Sequence, residues 1–116
     1  MMVVGEAVAR GVEQIGVMHK VSRISDIDEG KSIVADASGQ QVAIFKTKGG
    51  IIYAIDNVCP HRGGPLGEGH LDGEEVTCPW HAWTFNIKTG ECGTAPGVKQ
   101  KCFPVKIEGG DIFVEA

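Results

Sequence analysis

Four side chains with metal-binding chemistry fall in two short hooks, Cys59-Pro60-His61 and, sixteen residues later, Cys78-Pro79-Trp80-His81. Thiol and imidazole alternate along the chain, as Cys-x-His and then Cys-x-x-His. Structural zinc sites more often set two sulfurs on one hook and two nitrogens on the other. The alternating order suits a binuclear centre, because each hook can give its sulfur to one metal and its nitrogen to the neighbour. A [2Fe–2S] cluster with two cysteines on one iron and two histidines on the other divides its ligands in this way. One tetrahedral zinc held by the same four residues is the plainer alternative, since thiolate and imidazole bind iron, zinc and copper alike.

Three local features favour the cluster. Pro60 and Pro79 follow the cysteines directly, and a fixed φ stiffens each loop beside its sulfur. Each histidine stands at a distance that lets its ring project outward while the cysteine points back into the protein. Glycines at 63, 64, 67 and 69 allow backbone amides to approach sulfur closely.

The elements that must position these hooks read as β. Ser32–Ala37 and Gln41–Thr47 are strand-like runs joined by Ser38-Gly39-Gln40, a tight hairpin. Lys48-Gly49-Gly50 turns the chain into Ile51–Ile55, and Glu108-Gly109-Gly110-Asp111 separates Phe103–Ile107 from Ile112–Val114. Between them, Asp56 to Gly90 is dense in Gly, Pro and His and poor in aliphatic residues. Such a segment needs a metal centre or a neighbouring sheet to hold it. Leu71-Asp72-Gly73 and Lys88-Thr89-Gly90 read as turns closing short hairpins within it. The expected fold is all-β: an antiparallel sandwich-like or barrel-like base formed by 17–56 and 91–116, with a cluster-binding lobe inserted at 57–90. Residues 1–16 form an extension outside this domain, either a weak amphipathic helix through Val4, Val8, Val12 and Ile15 or a frayed end, which Gly5, Gly11 and Gly16 favour.

The two hooks and their flanks resemble those of Rieske-type iron–sulfur proteins: Cys59-Pro60-His61-Arg62-Gly63-Gly64 for the first loop, and Cys78-Pro79-Trp80-His81 followed by Trp83, Phe85 and Gly90 for the second. The resemblance extends over about residues 17–116. It implies one [2Fe–2S] cluster with Cys59 and Cys78 on one iron, His61 and His81 on the other, and the histidine edges as electron port. It also implies a third, proline-bearing loop over the cluster, matched by Thr94-Ala95-Pro96-Gly97.

Two departures narrow the resemblance. Respiratory and photosynthetic Rieske proteins carry an extra cysteine in each loop and join them by a disulfide; the matching positions here are Gly64 and Trp80, which cannot. Those proteins also place serine and tyrosine hydroxyls against the cluster sulfurs, where this chain has Trp83 and Phe85. Without those hydrogen bonds the more negative reduced state is less stabilised, so a potential of about −150 mV, the low end of the Rieske range, is expected. Neutral histidines leave the oxidised cluster uncharged, which keeps even this potential above that of an all-cysteine ferredoxin. The outer imidazole protons should grow more acidic on oxidation, so the potential should fall at alkaline pH.

The rest of the sequence mostly excludes. A chain of 116 residues with net charge −4 is one ordinary domain, has no basic stripe for nucleic acid and contains no stretch of transmembrane length. Residues 1–16 lack a basic leader, and four cysteines without an export signal fit a reducing compartment, so cytoplasmic placement is expected. His19 and His70 read as surface residues, and Cys92 and Cys102 as free thiols. Trp80 and Trp83 read as partner contacts near the port, and Trp83 at least equally as a core aromatic beneath the loops. Glu68, Asp72, Glu74 and Glu75 read as a solvated acidic hairpin that a basic reductase could use, with Arg62 opposing them. No paired carboxylates, nucleophile–base set or dinucleotide fingerprint is present, so catalysis by this chain alone is not expected. The resemblance thus implies a small ferredoxin passing electrons from a flavin-dependent NAD(P)H reductase to a terminal oxygenase with its own iron centre. A Rieske-type small subunit of a nitrite-reductase-like enzyme and a zinc-stabilised interaction module are the alternatives.

Overall fold

The central strand of the molecule is buried on both faces. In a computed structural model that describes residues 17–61, 63–80 and 82–116, Val42 to Phe45 are all fully inaccessible to solvent. They belong to β3 (Gln40–Lys46), flanked by β2 (Lys31–Ala37) and β4 (Ile52–Asp56), with β8 (Cys102–Phe103) completing an antiparallel sheet of order β2-β3-β4-β8. The β2–β3 hairpin turns at Ser38-Gly39, both at positive φ, the backbone that a two-residue hairpin turn requires. Gln40 already pairs with Ala37, so the turn is one residue shorter than Ser38-Gly39-Gln40.

Strand alternation sends neighbouring side chains of β3 and β4 into two cores. Val42, Ile44, Ile52 and Ala54 join Ile27, Phe103, Ile112 and Val114 on one face. Ala43, Phe45 and Ile55 join Leu66, Val76, Phe85, Ile87 and three cysteines on the other. Each fully buried aliphatic or aromatic side chain is worth about 1.5–3 kcal/mol, so this one sheet anchors both halves. The segment around the hooks gains its core by borrowing the sheet's second face.

Beneath the first core lies a second sheet of order β1-β10-β9, formed by β1 (Met18–Arg23), β9 (Val105–Glu108) and β10 (Asp111–Glu115). The register of β1 shifts between Lys20 and Ser22, a bulge that bends it across the base. The run Phe103–Ile107 is two strands rather than one, because Pro104 has no N–H for the ladder. A third small sheet, β5-β6-β7, comprises β5 (His70–Asp72), β6 (Glu75–Thr77) and β7 (Thr84–Asn86). Its first turn is Gly73-Glu74, with Leu71 and Asp72 inside the strand, and Lys88-Thr89 lies in the turn after β7. No helix among the described residues is long and apolar enough to cross a membrane. The helix considered for residues 1–16 lies outside the described residues.

Candidate metal centre

The two hooks sit on loops that leave strands and close in the same way. The first follows β4. Asp56 Oδ1 accepts the N–H of Val58 at 2.9 Å, turning the chain, and Val58 then bridges Pro65. Inside that bridge Cys59 donates its N–H to the Gly64 carbonyl at 2.9 Å, and Gly63 donates back to the Cys59 carbonyl at 2.8 Å. The second loop follows β6, and Cys78 donates its N–H to the Trp83 carbonyl at 2.7 Å. Each cysteine therefore bonds the residue five places on. The residue four places on has positive φ in both loops, +78° at Gly63 and +57° at Ala82.

These loops bring the two cysteines together. Cys59 and Cys78 are each 2% exposed and lie in the same hook-side core. Burial pushes the Cys78 thiol above its ordinary pKa; the Trp80 backbone N–H opposes this, and the Cys59 thiol adds to it. A thiol so buried resists ionisation on its own account, as at Cys78, whereas a bound cation favours thiolate. Gly64 lies against the pair: a Cβ there would stand 2.7 Å from Cys78 Sγ and 3.0 Å from Trp80 Cβ. The sulfur face is a cradle that a methyl group would fill.

His61 meets the second loop. Its ring stacks on Trp83 with centroids 4.1 Å apart and planes 4° from parallel, and its Nδ1 lies buried. Trp83 is half-buried and packs against the hook-side core, so it supports the loops from beneath. The positions three and six in each loop thus contact each other across the site, His61 with Trp83 and Trp80 with Gly64. His81 and Arg62 lie outside the described residues. Among the described residues no three His, Cys, Asp or Glu side chains gather as for a metal ion. Two thiols in one core, a backbone cradle and the imidazole of the first loop are donors of the type a [2Fe–2S] centre with mixed ligation takes.

The other candidates disperse. Gly64 and Trp80 touch but carry no sulfur, and all four cysteines are free. Phe85 is fully buried opposite Val76 in β6. Thr94 accepts the N–H of Thr84 on its hydroxyl at 3.0 Å, which ties the proline-bearing stretch to the end of the second loop. Cys92 is buried, accepting the Ala95 N–H at 3.2 Å, whereas Cys102 is exposed. His19 is half-buried on β1, and His70 is exposed. Glu68, Asp72, Glu74 and Glu75 are all exposed, with Asp72 directly opposite Glu75. Trp80 is 51% exposed and Val58 46%, giving the loop ends an apolar rim. Sequence reasoning missed two buried amides at the root of the first loop, Asn57 and Gln100, because an isolated Asn or Gln in a polar stretch has no pattern to distinguish it from a surface residue.

Comparison with known proteins agrees with this geometry. Residues 17–106 match the Rieske [2Fe–2S] domain. The ferredoxin component of the naphthalene 1,2-dioxygenase system of Pseudomonas putida is 36% identical over 93 residues, covering 79% of this chain and 88% of that protein. The solved ferredoxin of carbazole 1,9a-dioxygenase from Nocardioides aromaticivorans IC177 superposes with a TM-score of 0.78 at 28% identity, covering 84% of this chain and 96% of that one. A chain from the complex of reduced oxygenase and oxidised ferredoxin in carbazole 1,9a-dioxygenase gives a TM-score of 0.79 at 30% identity, covering 86% of this chain and 94% of that one.

Proposed function

The chain belongs to the Rieske [2Fe–2S] domain family, and from that premise we propose that it is a one-electron carrier serving a terminal oxygenase. The observation that carries the proposal is the pair of equivalent loops that bury Cys59 and Cys78 in one core, with His61 of the first loop stacked on Trp83 of the second. Cys59 and Cys78 would hold one iron, and His61 and His81 the other. When bound, the cluster supplies a single-electron redox couple. Everything else is done by the chain. The loops bury both sulfurs, Gly64 closes the space behind Cys78, and Trp83 fixes the plane of the His61 ring.

The dioxygenase ferredoxins to which the chain is similar support the direction of transfer. Electrons would come from a flavin-dependent NAD(P)H reductase and leave to an oxygenase with its own iron centre. Val58 and Trp80 at the loop ends offer apolar contact, and the exposed β5–β6 hairpin offers negative charge to a basic partner. Trp83 and Phe85 supply no hydroxyl to the sulfurs, in keeping with a potential near the low Rieske limit of about −150 mV. Four free cysteines suit a reducing, cytoplasmic setting. We divide the chain into an extension at 1–16 and one domain at 17–116, with 57–90 as the cluster-binding lobe.

The proposal is tested by mixing the oxidised protein with NADH and the flavin reductase of a dioxygenase system. The visible absorbance should bleach by one electron per chain and recover when the oxidised terminal oxygenase is added. A protein that neither bleaches nor recovers refutes the carrier role. Isolation only as a tight complex with a reductase would instead favour a built-in subunit.

A further inference from the structure

Asp56 to Val58, the lead-in to the first loop, are gripped from two sides by buried side-chain amides. Asn57 is 3% exposed; its Oδ1 accepts the Gly67 N–H at 2.7 Å, and its Nδ2 donates to Gln41 Oε1 at 3.1 Å. Gln100 is 6% exposed and comes from a distant part of the chain. Its Nε2 donates to two carbonyls of the lead-in, Asp56 at 3.0 Å and Val58 at 2.7 Å. Its Oε1 accepts the Lys101 N–H at 3.0 Å.

The main chain of Gln100 reaches the other loop. Its N–H donates to the Gly90 carbonyl at 2.7 Å, and the Gly90 N–H donates to Asn86 at 2.7 Å. Asn86 ends β7, the strand that carries the chain away from the second loop. One residue therefore joins the start of the Cys59 loop to the exit of the Cys78 loop. Both hydrogens of its amide are used, and both lead-in carbonyls depend on it. Removing such a donor leaves two acceptors without their partner in a partly buried place. The backbone adds one bond between the same segments, from the Asp56 N–H to the Lys101 carbonyl at 2.9 Å, next to the two residue pairs of the β4–β8 ladder.

We propose that Gln100 is a positioning residue for the [2Fe–2S] cluster: its side-chain amide fixes the separation of the two ligand loops. The proposal rests on the reading of Cys59 and Cys78 as ligands. A carrier must hold its ligands in nearly the same place in both oxidation states, and the Gln100 clamp supplies that constraint from outside the ligand set. Groups that orient metal ligands in this indirect way change metal affinity by about 10–100-fold when lost.

The test uses the cluster-loaded full chain in three forms: unchanged, Gln100→Met, and Ile112→Val as a reference that thins the core on the far face of the sheet. Cluster loss to a chelator is followed by visible absorbance, and g-values are read by EPR after reduction. Q100M should lose its cluster about tenfold faster and show shifted, broadened g-values. I112V should keep the original spectrum and rate. If Q100M matches the unchanged protein, or if both variants shift alike, the positioning role is overturned. Should Q100M yield no folded protein, Gln100→Glu at mildly acidic pH keeps one donated bond through its protonated carboxyl. An intermediate loss rate then supports the proposal, and an unchanged rate overturns it. An unchanged chain that shows no [2Fe–2S] signal at all overturns the ligand reading itself, whereas a normal signal with an unmoved Q100M overturns only the clamp.

Discussion

The loops at 59–64 and 78–83 close with the same hydrogen bond and differ in every side chain after the proline. Both close with a cysteine N–H on the carbonyl five residues later, and both pass through positive φ at the fifth position. In the first loop the third and sixth positions are His61 and Gly64; in the second they are Trp80 and Trp83. The contacts exchange accordingly, with imidazole on indole at one crossing and indole on bare backbone at the other. The two loops divide two jobs between backbone and side chains. The shared backbone brings the sulfurs together, and the unequal side chains decide which face is closed and which is offered outward.

The difference at the sixth position gives the largest expected effect. Gly64→Ala puts a methyl group 2.7 Å from Cys78 Sγ, so the thiol must move. Overpacking of this kind costs about 1–3 kcal/mol, and iron content per chain should fall several-fold while the β base stays folded by circular dichroism. Full iron content in G64A would mean that the two loops do not need this contact. At the equivalent position of the second loop, Trp83→Leu keeps apolar bulk but removes the stack beneath His61. Aromatic pairs contribute about 0.5–1.5 kcal/mol beyond their buried area, and thermal melting of the holoprotein should report a loss of that order.

The fifth positions sharpen the comparison further. Gly63→Ala should cost about 1 kcal/mol because its φ is +78°, and Ala82→Gly should gain about 0.5 kcal/mol by relieving the same strain at +57°. Opposite signs in paired chemical denaturation would confirm the equivalence of the loops; equal signs would break it. Smallest is Trp80→Ala. Its indole is 51% exposed, so stability should change by less than about 1 kcal/mol. The rate of electron delivery to the oxygenase should fall instead, since the lost surface is at the loop rim.

Much of this was legible in the sequence because it rests on local chemistry. Ser38-Gly39 between alternating apolar runs announces the β2–β3 hairpin, and Gly109-Gly110 does the same for β9–β10. The hooks at Cys59 and Cys78 announce loops that meet. Less legible were features decided by partners far along the chain. Pro104 divides a run that looks like one strand, and β1, with Lys20, Ser22 and Arg23 among its apolar residues, gains definition only from pairing with β10. The scarcity of aliphatic residues around the hooks was visible; that Phe45 and Ile55 would fill the deficit from the back of a shared sheet was not. Gln100 was invisible for the same reason, since a single buried amide leaves no periodic trace.

In the proposed function these loops hold a [2Fe–2S] cluster through Cys59, Cys78, His61 and His81. Its most direct test is metal and acid-labile sulfide analysis of the purified chain, with EPR after one-electron reduction. The purified protein should be red-brown, with iron and sulfide in equal amounts and a rhombic EPR signal, all lost in Cys59→Ser and His81→Ala. A colourless protein carrying one zinc per chain would contradict it.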